Sequence, residues 1–213
     1  MRMLALALAL AAALVLPAAA QSRHDQALAD LRRAEDAEAR RAAVRALADT
    51  GVMADLPAMA QALRDSDPAV RALTESAMWE VWSRTGDAET DALFARGVEQ
   101  LQTRELNDAV QTFTRVIARR PDFAEAWNKR ATAYFVLGEY QKSLADCDEV
   151  MTRNPYHWGA LSGYGMIYVE LDQPGRAVEY FEKALAVNPN LTSVQQAIET
   201  LKALLLQRRR EMI

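Results

Sequence analysis

Along the C-terminal half of this chain the same kinds of apolar position return every 34 residues. Bulky residues return as Leu93, Trp127 and Leu161, and a mostly aromatic position returns as Phe113, Cys147 and Phe181. Small residues return as Gly97, Ala131 and Gly165, and as Ala109, Ser143 and Ala177. Pro121, Pro155 and Pro189 keep the same beat. Small residues let neighbouring helices approach, and large ones fill the wedge left between them. Each proline biases the residue before it away from helical geometry and suits the first turn of the helix that follows. A fixed period of this length predicts stacked helix pairs rather than one closed core. The expected class is all-α, a right-handed α-solenoid of stacked antiparallel helix pairs.

The spacing resembles the tetratricopeptide repeat (TPR) family. Three repeats are read, over residues 90–123, 124–157 and 158–191. The second carries Trp127, Ala131, Tyr134, Gly138, Tyr140, Ser143, Cys147 and Pro155, and the third Leu161, Gly165, Tyr168, Ala177, Phe181, Ala184 and Pro189. Two positions depart from the pattern: Gln100 stands where an aromatic is usual, and so does Cys147. After Pro189, apolar residues at Val194, Ile198, Leu201 and Leu205 predict one long helix, read as a cap over residues 192–213.

Residues 21–88 follow a different rhythm. Asp36 and Asp67 lie 31 positions apart, as do Ala39-Arg40 and Val70-Arg71. Asp67-Pro68 reads as an N-cap followed by proline at the first helical position. Helices are predicted near 25–34, 37–49, 53–64 and 68–84, with Gly51 and Gly86 as left-handed helix ends. The run Asp67-Pro68-Ala69-Val70-Arg71 is similar to the second helix of a HEAT-like repeat. Two HEAT-like pairs and an irregular helical cap fit equally well. Either way the segment is expected to join the repeats in one superhelix, with Trp79 and Trp82 packed at the junction.

Residues 1–20 read as a secretory signal peptide. Arg2 is followed by an unbroken apolar run from Leu4 to Leu16, then Pro17 and three alanines. An uncleaved anchor is the other reading, although a membrane span needs about 20 apolar residues. Export to the periplasm of a Gram-negative cell is the expectation, with no stable membrane span once the leader is removed.

A net charge of −4 argues against nucleic acid as a partner. The lone Cys147 allows no internal disulfide and is read as an apolar filler. His24 and His157 are far apart in sequence. No metal-ligand spacing, phosphate loop or serine-nucleophile motif occurs. No enzyme activity and no cofactor are therefore expected.

The resemblance implies a concave groove lined by the first helix of each pair. Carried onto this sequence, the lining is Phe94, Val98 and Leu101, with Asp91 beside them; Glu125, Asn128, Lys129, Thr132 and Phe135; and Ser162, Met166 and Val169, with Glu170 beside them. Phe94, Val98 and Phe135 fit a core stripe as well as a groove. One TPR subfamily grips a C-terminal carboxylate; of the matching positions Phe94, Val98, Lys129, Gly159 and Gly163, only Lys129 offers a suitable side chain. Gly159 and Gly163 have no evident packing role, and either open the groove or are merely tolerated. The resulting expectation is a protein-interaction scaffold of the bacterial envelope that holds a partner's peptide segment. A periplasmic chaperone or assembly factor is the alternative.

Overall fold

The computed structural model describes residues 18–211. The signal peptide expected over residues 1–20 lies outside the described residues apart from its last three, which open the first helix. Among the described residues every regular element is helical. In chain order they are α1 (Ala18–Arg33), α2 (Ala37–Thr50), a 3-10 turn (Met53–Asp55), α3 (Leu56–Ala62), α4 (Pro68–Trp82), α5 (Ala88–Gln102) and α6 (Leu106–Arg119). There follow α7 (Ala124–Val136), α8 (Tyr140–Arg153), α9 (Trp158–Glu170), α10 (Pro174–Val187) and α11 (Thr192–Glu211). No described helix is long and apolar enough to cross a membrane.

Aspartates start several of these helices. Asp36, Asp67 and Asp87 each accept hydrogen bonds from amides of the first turn that follows. Asp67 also receives Arg41, and Asp65 receives Arg40, so two arginines of α2 staple it to the α3–α4 turn. Around these contacts Leu47, Met59, Leu63, Val70 and Met78 are buried in one core. Gly86 takes the left-handed conformation expected of it, with φ of 74°. Gly51 does not: its φ is −64° and its backbone is extended.

Beyond Asp87 the helices pair as α5 with α6, α7 with α8, and α9 with α10. The turns inside the pairs are copies of one another. Arg104, Gly138 and Asp172 adopt left-handed φ values of 65°, 75° and 52°. The next amide in each case reaches back to the carbonyl of Gln100, Tyr134 or Tyr168, which closes the helix in the Schellman manner. α11 lies on α10 and places Val194, Ile198 and Leu201 in the core of the third pair.

The N-terminal unit does not continue this stack, which corrects the expectation of one uninterrupted superhelix. Its core takes in Trp158, Leu161 and Ala184 but, among the described residues, nothing from α5 or α6. α4 passes its packing to the turns that join successive pairs. Arg120 of the first such turn donates to the carbonyl of Thr85. Trp82 stacks on His157 of the second, ring centroids 4.5 Å apart. At the third, Arg64 donates to the carbonyls of Ala186 and Val187, and the Asn190 amide donates to the Leu63 carbonyl. The reason is chemical: α4 ends in two tryptophans, and the matching apolar surface lies at Trp158, not on α5. The unit therefore runs along one edge of the stack and touches all three inter-pair turns.

Candidate functional site

The first helices α7 and α9, with α11 after them, form the walls of a groove. Its first hollow, of about 140 Å3, lies between α7 and α9; Asn128, Ala131, Thr132, Phe135, Gly159, Ser162 and Gly163 line it, and Ser143 and Cys147 of α8 form its floor. The second, of about 330 Å3, lies between α9 and α11 and is lined by Val169, Glu170, Ala197, Thr200 and Leu201, with Phe181 of α10 below. Phe135 and Met166 belong to both, so the two hollows adjoin along the groove. Met166 and Val169 are 48% and 42% exposed, unusual for such side chains on a helix flanked by neighbours.

Seven of the positions inferred from the sequence meet in this groove: Asn128, Thr132, Phe135, Ser162, Met166, Val169 and Glu170. Six do not. Phe94 is buried against Phe113 and Phe123, with ring centroids 5.8 and 5.0 Å away, because α5 has no preceding layer to face and turns its aromatic inward. Val98 and Leu101 pack half-buried against the same cluster. Asp91 is also occupied, accepting from the Thr85 amide and hydroxyl.

Glu125 is fully buried, not exposed in the groove. His157 donates to it through Nε2 at 2.7 Å, Asn128 donates through Nδ2, and the Lys129 ammonium stands 3.0 Å away. His157 has its Nδ1 lone pair free for this tautomer, and it accepts the Ala160 amide as the N-cap of α9. Burial pushes the Glu125 carboxyl up, but the His157 hydrogen bond and the Lys129 charge outweigh it and leave the group below its ordinary value. Lys129 also lies 5.6 Å from the centre of the Trp79 ring. The one cation that suited a carboxylate clamp is thus already paired.

Trp79 closes the groove at this end. A Cβ on Gly159 would fall 2.9 Å from the Trp79 ring, so glycine is there to admit it. Gly163 is different. A Cβ there would meet only Cys147 Sγ, at 3.7 Å, and would point into the first hollow. Residues of α11 were absent from the sequence-derived lining, yet the beat continues into it: Thr132, Met166 and Thr200 are equivalent positions, all on the groove. α11 stands where the first helix of a fourth pair would stand.

The groove offers little for catalysis. Burial and the nearby Asp146 and Asp148 carboxylates push the Cys147 thiol up to about 12, so it stays protonated and inert at neutral pH. Among the described residues no group of three or more His, Cys, Asp or Glu is placed to hold a metal. What remains is an apolar trough with Glu170 as its one charged lining residue.

Family models described as tetratricopeptide repeat match residues 94–157 and 158–191. A TPR repeat-containing protein of Rhizobium etli is 29% identical over 141 residues, covering 66% of this chain and 69% of that protein. The TPR domain of Sgt2 from Aspergillus fumigatus superposes with a TM-score of 0.55 at 22% identity, over 61% of this chain and 85% of that domain. The first TPR of Spaghetti, solved with the HSP90 peptide SRMEEVD bound to it, gives 0.53 at 20% identity, over 55% of this chain and 93% of that one.

Proposed function

We infer from the tetratricopeptide repeats this chain carries that it is a non-enzymatic protein-interaction scaffold, and that the trough between α7, α9 and α11 holds a segment of its partner. One observation carries the reading: Met166 and Val169 stand exposed on an apolar groove that nothing among the described residues covers. A structural neighbour is known with a peptide bound, which supports the same mode here. A C-terminal carboxylate of the partner is not what is gripped in this reading, because Lys129 is committed to Glu125 and Trp79. In this proposal the N-terminal unit, HEAT-like in its Asp67–Arg71 run, braces the edge of the repeats and leaves the groove free.

The setting we propose is the bacterial envelope, reached through the leader-like residues 1–20. Two measurements test the proposal. Mass analysis of the exported protein is expected to find a chain beginning near Gln21; a chain that keeps Met1–Ala20 and stays in the cytoplasm removes the envelope setting. Affinity capture with the full chain and with Met166→Lys/Val169→Glu is expected to yield one stoichiometric partner that the variant loses. Equal capture by both removes the groove.

A further inference from the structure

The first hollow has Cys147 on its floor, at the position where the other two repeats carry a benzene ring. Phe113 and Phe181 occupy the position that Cys147 occupies in the second repeat. Phe113 and Phe181 are buried against Gly97 and Gly165, and Phe181 in turn forms the floor of the second hollow. Cys147 is far smaller, and the hollow of about 140 Å3 lies above it. Gly163 enlarges the space from the facing wall, since it contributes no side chain and only Cys147 Sγ lies near. An apolar cavity of roughly 150 Å3 stays dry and takes up a benzene-sized guest.

We propose that this hollow is an anchor pocket for one large apolar side chain, phenylalanine or leucine, of a bound peptide, with a lysine or arginine of the same peptide pairing with Glu170. The proposal rests on the scaffold reading and narrows it to a class of sequence. The pocket walls are apolar apart from Asn128, Thr132, Ser143 and Ser162. Three of those are already engaged: the Ser143 hydroxyl donates to the Ala131 carbonyl, the Thr132 hydroxyl to the Asn128 carbonyl, and Asn128 to Glu125. A guest that is itself a hydrogen-bonding group therefore finds few partners there, and an apolar ring loses nothing on entry. Glu170 sits at the mouth of the second hollow and is exposed. It accepts one hydrogen bond, from the Tyr140 hydroxyl, and its charge is not neutralised by any described cation. A cation placed a few residues from the anchor meets it across the groove.

The test is selection of a displayed library of random 12-residue peptides on the full chain, followed by affinity measurement on three variants. The expected consensus is a Phe or Leu with Lys or Arg within about four positions. Gly163→Leu fills the hollow from a point where its Cβ clashes with nothing, and is expected to weaken the selected peptides at least about tenfold without lowering the melting temperature. Glu170→Lys is expected to weaken basic peptides and spare versions in which the cation is replaced by alanine. Phe135→Glu alters both hollows and reports on the groove as a whole. Peptides that lose affinity with Phe135→Glu but keep it with Gly163→Leu overturn the anchor pocket and leave the scaffold reading standing. Failure to select any peptide overturns both.

Discussion

The ring of Phe181 occupies the space that a Cβ on Gly165 would need, well inside van der Waals contact. Gly97 and Phe113 repeat the relationship, with a virtual Cβ 2.7 Å from the ring. In the second repeat both members change: Ala131 faces Cys147 in the same core. Ring with glycine, and thiol with alanine, are two solutions to one volume. Gly165→Ala is therefore expected to cost about 1–3 kcal/mol through overpacking. Adding Phe181→Cys should return part of that loss, because the ring that the methyl strikes is gone. Thermal melts of the two single variants and the double variant give the coupling. Strict additivity would show that the pair does not share its space.

Arg104 holds the left-handed position that Gly138 holds without strain in the next repeat. A non-glycine residue there costs roughly 1–2 kcal/mol relative to glycine, offset in part by the greater freedom glycine has when unfolded. Arg104→Gly is expected to gain up to about 1 kcal/mol, and Gly138→Ala to lose about 1 kcal/mol. Asp172→Gly should gain less, since aspartate tolerates the conformation and this one pairs with Arg208 at 2.7 Å. Denaturant midpoints order the three; a destabilised Arg104→Gly would refute the account.

Much of this architecture is legible in the sequence because the 34-residue beat is set by local sterics. Gly97, Gly165, Pro121, Pro155 and Pro189 each answer to a neighbour at fixed spacing, so their partners are found by counting. The groove was half legible. Thr132, Phe135, Met166 and Val169 follow from the beat, and extending it one step would have added Thr200. Lys129 and Gly159 were misplaced because Trp79, a residue outside the period, lies against them, and Glu125 because His157 of the next turn seals it. Contacts between the N-terminal unit and the repeat turns span 30 to more than 120 positions, as with Arg64 and Ala186, and no periodicity encodes them. Phe94, Val98 and Phe135 fitted core and groove alike; the first two pack in the core of the first repeat and Phe135 lines the groove.

Trp82 is the residue on which that attachment turns. It is 2% exposed, stacks on His157, and lies 4.4 Å from the Trp158 ring centre. Trp82→Ala is expected to remove about 3–5 kcal/mol, as is usual for a buried aromatic. The loss should fall on the docking of the N-terminal unit, so calorimetry is expected to resolve two transitions in place of one. A single transition at lower temperature would mean that the two parts fold only together.

His24 ties α1 to the 3-10 turn, with Nε2 2.8 Å from the Asp55 carboxylate. That hydrogen bond raises the imidazole above its ordinary 6.5 against the opposing effect of burial, and Asp25 adds to the rise. A raised folded value means the contribution is complete below pH 6.5 and is lost as pH climbs through the higher folded value. Hydrogen exchange of α1 amides is therefore expected to quicken as pH rises above 6.5, beyond the intrinsic rate. His24→Gln should abolish the extra dependence; an unchanged profile in that variant would assign the effect elsewhere.

Glu125 gives the opposite sign. Its carboxyl lies below the ordinary value of 4.5 in the folded chain, so its contribution is complete above pH 4.5 and is lost as pH falls through the lowered value. Asp65, Asp67 and Asp122 are lowered too, by Arg40, Arg41 and Arg120, so acid destabilises several parts of the chain at once. Glu125→Gln isolates one of them. The amide oxygen still accepts from His157 Nε2, while the charge that holds Lys129 is gone. Acid titration of stability is expected to be shallower in this variant than in the parent below pH 4.5, with the difference vanishing once both are fully protonated. Glu125→Ala removes the acceptor altogether, leaves His157 and Lys129 facing an empty site, and is expected to cost about 3–5 kcal/mol at pH 7. Because His157 caps α9 and carries the stacked Trp82, that variant should also release the N-terminal unit, and the same calorimetric splitting as in Trp82→Ala is the outcome that ties the buried carboxylate to the docking.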